Sequence, residues 1–246
     1  TTEGKRIRQA FKAPDGWELL SSDYSQIELR ILAHLSEDED LIQAFADGED
    51  IHRKTASTVF GVFPALVNEE MRRQAKVINF GVIYGMSPFG LARELGITQK
   101  MAKIYIDEYF RRFHGVSRFI EETLEQARVD GFVTTIMKRR RAIPEINSPI
   151  AQVRQFAERT AVNTPIQGSA ADLIKVAMLR ITGAMKEKKL TARMIMQVHD
   201  ELVFEVPLEE KDLLQGLVKK EMEGVIDLKV PLEVHIKSGG NWDEAH

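Results

Sequence analysis

The chain of 246 residues has no cysteine. Disulfides, thiolate metal sites and cysteine nucleophiles are thereby excluded, and the absence suits a reducing cytoplasm, the expected location. No apolar run approaches the ~20 residues that a membrane helix needs, so no membrane partner is expected. The opening TTEGKRIRQAF has neither an initiator Met nor the apolar stretch of a signal peptide, and reads as cut from something longer. There is no fixed-period repeat and no low-complexity segment. An excess of positive charge is also missing. The 34 basic and 37 acidic residues leave a net charge of −3, which argues against a general basic coat but not against a local basic cleft.

What is present is the composition of a soluble globular chain, 43% hydrophobic and 29% charged, long enough for one large domain or two small ones. Trp17 to Ser22 reads as a strand running into Asp23, and residues 25–35 carry apolar positions at helical spacing. A block over 37–130 is almost wholly helical in pattern, punctuated by turn signals at Asp47-Gly48, Gly61 to Pro64, Gly85 to Pro88, Gly96 and His114-Gly115. A short strand pair, FVTTI and RAIP, brackets the basic run 138–141. Two helices are then expected, over 149–163 and 168–188, separated around Pro165 and Gly168. The runs ARMIMQV and ELVFEV flank His199-Asp200 as a hairpin, followed by a helix over 208–223 and a last strand in PLEVHIKS. The expected class is α+β, with helices on an antiparallel sheet and a mostly helical second subdomain.

Two features suggest chemistry. Asp23 ends one strand and Asp200 sits at a hairpin tip, where it and Glu201 are expected to project from the sheet edge. Carboxylates suit Mg²⁺, which takes one or two of them together with substrate phosphates. Taken alone, Asp200 reads first as a turn former. The second feature is the helix from Asn68 to Tyr84, with Asn68 as N-cap and Glu69 and Glu70 in its first turn. Arg72, Lys76, Phe80 and Tyr84 recur every four residues, drifting about 40° per step into a slanted stripe. Cations lie at one end, suited to a triphosphate, and aromatics at the other, suited to a sugar and base. Alone, the stripe also reads as a helix with a solvated basic end and a core aromatic end.

The motifs together are more specific. DYSQIELR at 23–30, RRQAKVINFGVIYG at 72–85 and QVHDE at 197–201 occur in the order of the three signature motifs of the family A DNA polymerases, and AERTAVNTPIQGSAADLIK at 157–175 is similar to a further block. The chain resembles the C-terminal palm and fingers of that family. The resemblance implies palm over 1–36 and 131–246, fingers over 37–130, and no thumb or nuclease region. It also implies primer-template DNA and dNTPs as partners, two Mg²⁺ ions, and dependence on the rest of a parent polymerase, with weak DNA affinity and poor processivity for this piece alone.

By the same resemblance, Asp23, Asp200 and the backbone carbonyl of Tyr24 hold the ions, and Glu201 supports them. Arg72 and Lys76 bind phosphates, Lys76 also serving as proton donor to pyrophosphate. Phe80 packs on the deoxyribose and Tyr84 lies near the nascent pair. Gln26 and His52 lie near the triphosphate, and Glu28 excludes a ribose 2′-OH, which favours DNA over RNA synthesis. Phe80 in place of Tyr implies rejection of dideoxynucleotides. Gly81 and Gly85 allow close approach to the template. Arg159, Asn163, Gln167 and His199 touch the duplex near the primer terminus, through contacts that test pair shape without reading sequence. The basic run 138–141 meets backbone phosphates, but Lys138 stands where the family usually has glycine. The implied function is template-directed DNA synthesis. The alternatives are a noncatalytic DNA-binding fragment and a metal-dependent nuclease, the latter leaving Glu28 and the stripe without purpose.

Overall fold

The computed structural model describes residues 2–246; Thr1, where the first palm segment is set to begin, lies outside them. The chain opens with α1 (Thr2–Ala10), β1 (Trp17–Tyr24) and α2 (Ile27–Ser36). A helical series follows: α3 (Glu39–Ala46), α4 (Ile51–Phe60), α5 (Glu69–Ile83), α6 (Pro88–Leu95), α7 (Gln99–Arg112) and α8 (His114–Asp130). The short strands β2 (Phe132–Thr134) and β3 (Arg140–Ala142) precede the long α9 (Ala151–Glu187). The chain closes with β4 (Arg193–Val198), β5 (Glu201–Pro207), α10 (Lys211–Glu223), β6 (Val234–Gly239) and α11 (Trp242–Ala245). The expected α+β class is observed. Two compact units divide it, a sheet unit (up to Ile27, and Ala170–His246) and a helical unit (Glu28–Ser169).

In the sheet unit the strand order is β4-β5-β1-β6, every pair antiparallel. The central β1 is buried from Leu19 to Ser22 because the sheet is covered on both faces. One face packs Leu19 and Val203 against Trp242 and Ala245 of α11. The elements of α10 bring buried Leu214, Leu217, Val218 and Met222 against the unit's core. Register follows from this alternation, since a one-residue slip would turn Leu19 and Ser21 out of the Trp242 layer. The same register sets Asp23 opposite Glu201 on one side and His235 on the other.

The helical unit is built from locally capped pieces. Asp38, Asp50, Asn68, Ser87 and Thr98 each accept a backbone N–H at the start of the next helix, so five helix starts are visible as short polar side chains. Asp38 is also a tertiary joint. Its carboxylate accepts from the Gly115 N–H at 2.8 Å, and a Cβ on Gly115 would meet Asp38 Cα at 2.7 Å, so only glycine fits there.

The expected break near Pro165 does not occur, because α9 runs unbroken from Ala151 to Glu187. Proline removes one helical N–H and normally interrupts the ladder. Here the Ser169 hydroxyl donates to the Pro165 carbonyl and accepts from the Ile136 N–H at 2.9 Å. Arg139 Nη2 donates to the Gly168 carbonyl at 3.1 Å, and Arg141 Nη1 to Thr164 Oγ1 at 3.3 Å. The β2–β3 hairpin thus splints the helix across its weak point. Gly168 is a contact surface for that hairpin, since a Cβ there would meet Thr135 Cγ2 at 2.8 Å. Lys138 completes the hairpin turn with φ of 63°, in the left-handed region that glycine favours.

Candidate active site

The sheet unit carries the carboxylates. His199 adopts φ of 56° in the β4–β5 turn, and the Tyr24 N–H donates to the Asp200 carbonyl at 3.4 Å, which brings the hairpin tip beside the end of β1. The Asp23 carboxyl is pushed up to about 6 by burial first, then by the charges of Asp200 and Glu201, with His246 and His235 opposing. Asp200 is also raised, chiefly by burial. Two neighbouring half-buried acids whose ionisation is held back chiefly by burial form a place where a divalent cation is stabilising. Their oxygens are the hard donors that Mg²⁺ prefers, and one or two protein carboxylates with substrate phosphates are its usual complement. Among the described residues no group of three or more His, Cys, Asp or Glu side chains gathers to hold a metal.

Glu201 corrects the expectation that it projects beside Asp200. It is buried, and its Oε1 accepts from Ser21 Oγ at 2.6 Å and from Trp242 Nε1 at 2.7 Å. His246 Nδ1 lies 3.3 Å from its Oε2. Successive residues of a strand face opposite ways, and the β5 register turns Glu201 under Asp23 into the Trp242 layer. From there it acts on Asp23 by charge, not as an exposed oxygen. Tyr24 is buried with its phenol donating to the Met222 carbonyl at 2.8 Å, which fixes the backbone at the strand end. Gln26 follows with φ of 53° and a buried Oε1 that has no hydrogen-bond partner. His199 is exposed on the turn.

The helical unit carries the stripe. Asn68 caps α5 by accepting from the Met71 N–H at 2.9 Å. Arg72 Nε donates to Asp50 Oδ2 at 2.6 Å, while Lys76 stands exposed one turn on. Against the upward push of burial, Arg72 and the N–H groups of Arg53 and His52 hold Asp50 below the ordinary carboxylate value. Phe80 lies with its ring centroid 6.1 Å from Tyr84, stacked, and 6.1 Å from His52. The Tyr84 hydroxyl donates to Glu28 Oε2 at 2.8 Å, which ties the acid at the start of α2 to the end of α5. Arg73 turns off the stripe to pair with Glu70. Gly85 has φ of 62°, and a Cβ there would meet Arg159 Cγ at 2.9 Å.

The unbroken α9 has a consequence for the residues expected to touch a duplex. Arg159, Asn163 and Gln167 stand four apart on one continuous helix and form a single row, which the expected break at Pro165 would have split. Arg159 and Gln167 are exposed, and Asn163 has a buried Oδ1 with no hydrogen-bond partner. Of the basic run, Arg139 and Arg141 hold α9 as described, and Arg140 lies over the Phe132 ring at 4.7 Å.

Three polar residues that the sequence reading does not single out belong to the helical unit's site. They are Asp50, Thr55 and Asn79, of which Thr55 and Asn79 are wholly buried. Asp50 was signalled by its position before an apolar helical run. Asn79 was signalled only as an amide among the buried Ala75, Ile78 and Val82 of the same helix.

Comparison with known proteins agrees with this architecture. The profile of DNA polymerase family A matches residues 1–244. DNA polymerase I of Bacillus subtilis (strain 168) is 52% identical over 244 residues, 99% of this chain and 28% of that protein. The thermostable DNA polymerase I of Thermus filiformis is 51% identical over 245 residues, 100% of this chain and 29% of that protein. A solved structure of the POL domain of Pol1 from M. smegmatis, in complex with DNA primer-template and dNTP, superposes with a TM-score of 0.96 at 48% identity, over 100% of this chain and 43% of that one. The chain therefore spans under a third of the length of these curated relatives, and by its motifs, its fold and its match from end to end it belongs to DNA polymerase family A.

Proposed function

We propose that the chain is the nucleotidyl-transfer part of a DNA-directed DNA polymerase, with palm over 1–36 and 131–246 and fingers over 37–130. It adds a dNTP to a primer 3′-hydroxyl opposite a template base. The observation that carries the reading is the meeting of Asp23 and Asp200, far apart in sequence, as two half-buried acids whose ionisation is held back. With the Tyr24 carbonyl they would hold two Mg²⁺ ions, which would supply charge neutralisation to the phosphoryl transfer. The 3′-hydroxyl gives up its proton to solvent as its oxygen bonds to the α-phosphorus, the bond from that phosphorus to the α–β bridging oxygen breaks, and pyrophosphate leaves.

The remaining steps belong to side chains. Arg72, released from Asp50, and Lys76 bind the triphosphate, and Lys76 supplies a proton to the departing pyrophosphate. His52 and Gln26 add hydrogen bonds. Phe80 packs on the deoxyribose, and Glu28, held by Tyr84, closes the space that a 2′-OH needs. Arg159, Asn163, Gln167 and His199 contact primer-template DNA, and further domains of a parent polymerase strengthen the grip on the duplex.

Single-nucleotide primer extension with Mg²⁺ and each dNTP, beside Asp200→Ala, tests the reading. Template-matched addition that falls about a thousandfold or more in the variant, with DNA binding retained, is the expected result. Substantial turnover by Asp200→Ala defeats the assignment. If the wild type is silent here and also when joined to the upstream segments of its parent, the chain is a noncatalytic DNA-binding fragment.

A further inference from the structure

His52 makes its inward hydrogen bond to a residue that the proposed chemistry does not use. Its Nδ1 lies 2.9 Å from Asn79 Nδ2, and the other end of that amide, Oδ1, accepts from Thr55 Oγ1 at 3.0 Å. His52 is 3% exposed, and Asn79 and Thr55 are 0% exposed. A primary amide has two ends of opposite polarity. With its oxygen engaged by the Thr55 hydroxyl, its nitrogen can only donate, so Nδ1 must offer a lone pair. The proton of a neutral ring then sits on Nε2. Both Thr55 and Asn79 project from helix interiors, α4 and α5, so the positions of the two side chains are set by rigid elements.

The tautomer matters because a phosphate oxygen only accepts. A neutral ring protonated at Nδ1 would present a lone pair to it and repel it. The charged groups acting on the ring are Asp50, Arg72 and Lys76, and the Phe80 ring packs beside it. Arg72 and Lys76 already bring positive charge, so a neutral N–H donor adds a hydrogen bond without a third cation. We propose that Asn79, oriented by Thr55, is a positioning residue that fixes His52 as the Nε2–H tautomer and so presets it as a neutral donor to the triphosphate of a dNTP. This deepens the reading that the α5 stripe takes the triphosphate, and rests on it.

Nitrogen NMR of the chain labelled in its imidazoles, with the His52 signal assigned by its loss in His52→Gln, reads the tautomer directly. An Nε2–H ring at neutral pH is expected; an Nδ1–H ring or an imidazolium overturns the proposal. Asn79→Leu keeps the volume and removes the donor. It is expected to mix the tautomers and to raise the Kd for dATP with Mg²⁺ roughly five- to tenfold, the scale of one hydrogen bond. In a His52→Gln background the same change is expected to add nothing. An undiminished effect there shows that Asn79 acts on packing alone, and the proposal fails. Thr55→Val, a milder change, repeats the tautomer test should Asn79→Leu not fold, and an unmixed Nε2–H ring in it removes Thr55 from the device. Asn79→Asp turns the donor into an acceptor and is expected to convert the ring to imidazolium. A His52→Gln variant with unchanged dATP affinity defeats the triphosphate reading itself, whatever the tautomer.

Discussion

The sheet unit and the helical unit hold their functional groups by different means. In the sheet unit the backbone does the placing. The register of β1 against β5 and β6 fixes Asp23, and a backbone hydrogen bond from Tyr24 brings Asp200 beside it. In the helical unit side chains hold side chains, as Asp50 holds Arg72, Glu28 holds Tyr84 and Asn79 holds His52. A ladder fixes atoms through many cooperative bonds, whereas a pair of side chains can part when a stronger partner arrives. The first arrangement suits permanent ligands and the second suits a substrate that enters and leaves.

The largest departure from this comparison is expected at Glu28. Its replacement by Ala removes both the acid and the Tyr84 hydroxyl's acceptor, and discrimination against rNTPs is expected to fall about a hundredfold or more, measured as the ratio of kcat/KM values for dNTP and rNTP. An unchanged ratio assigns sugar selection elsewhere.

The two units should next diverge in their response to pH. Asp23 is raised from 3.8 to about 6, so the metal-free sheet unit gains stability from this group below pH 3.8 and loses it as the pH climbs to about 6. Mg²⁺ needs the carboxylate, so its affinity is expected to rise over the same interval. His52 is lowered from 6.5 to about 4, by burial first and then by Arg72 and Lys76 against Asp50. Its contribution is present above pH 6.5 and is lost as the pH falls to about 4, the opposite slope. Hydrogen exchange followed unit by unit should show Asp23→Asn flattening one slope and His52→Gln the other. Equal slopes in the two variants would remove the distinction.

These two residues also show how far the sequence could be read. Asp23, Asp200 and the stripe from Arg72 to Tyr84 were legible because ordered motifs and helical spacing survive in one dimension. The ionisation of Asp23 was not, because it depends on burial and on Asp200 and Glu201 arriving beside it in the folded sheet. The inward turn of Glu201 was hidden too, since it follows from the Trp242 indole at the far end of the chain.

A smaller contrast lies within α9. Gly168→Ala drives a Cβ to 2.8 Å from Thr135 Cγ2 and is expected to destabilise by ~1–3 kcal/mol. Gly183→Ala meets nothing within 4 Å in the same helix and is expected to stabilise by up to ~1 kcal/mol. Thermal or denaturant unfolding of the two variants measures both, and equal effects would show that the hairpin does not press on the helix. The smallest expected effect is at Lys138, whose φ of 63° strains any side chain. Lys138→Gly should stabilise by about 1 kcal/mol or less in the same unfolding measurement, and a loss of stability there would mean that the lysine side chain outweighs the strain.

The sequence by itself determined what acts within a few residues. The caps at Asp38, Asp50, Asn68, Ser87 and Thr98, the glycines at helix ends, the hairpin around His199-Asp200 and the stripe of α5 depend on side chains reaching their own backbone or on a fixed turn angle. Tertiary structure decided the rest. It carried α9 through Pro165 by lending it Ile136, Arg139 and Arg141, closed Gly115 onto Asp38, and chose which end of the Asn79 amide faces His52. Those outcomes turn on hydrogen-bond partners that come within reach only once the helices and strands have packed, and no local pattern encodes which buried polar group will meet which.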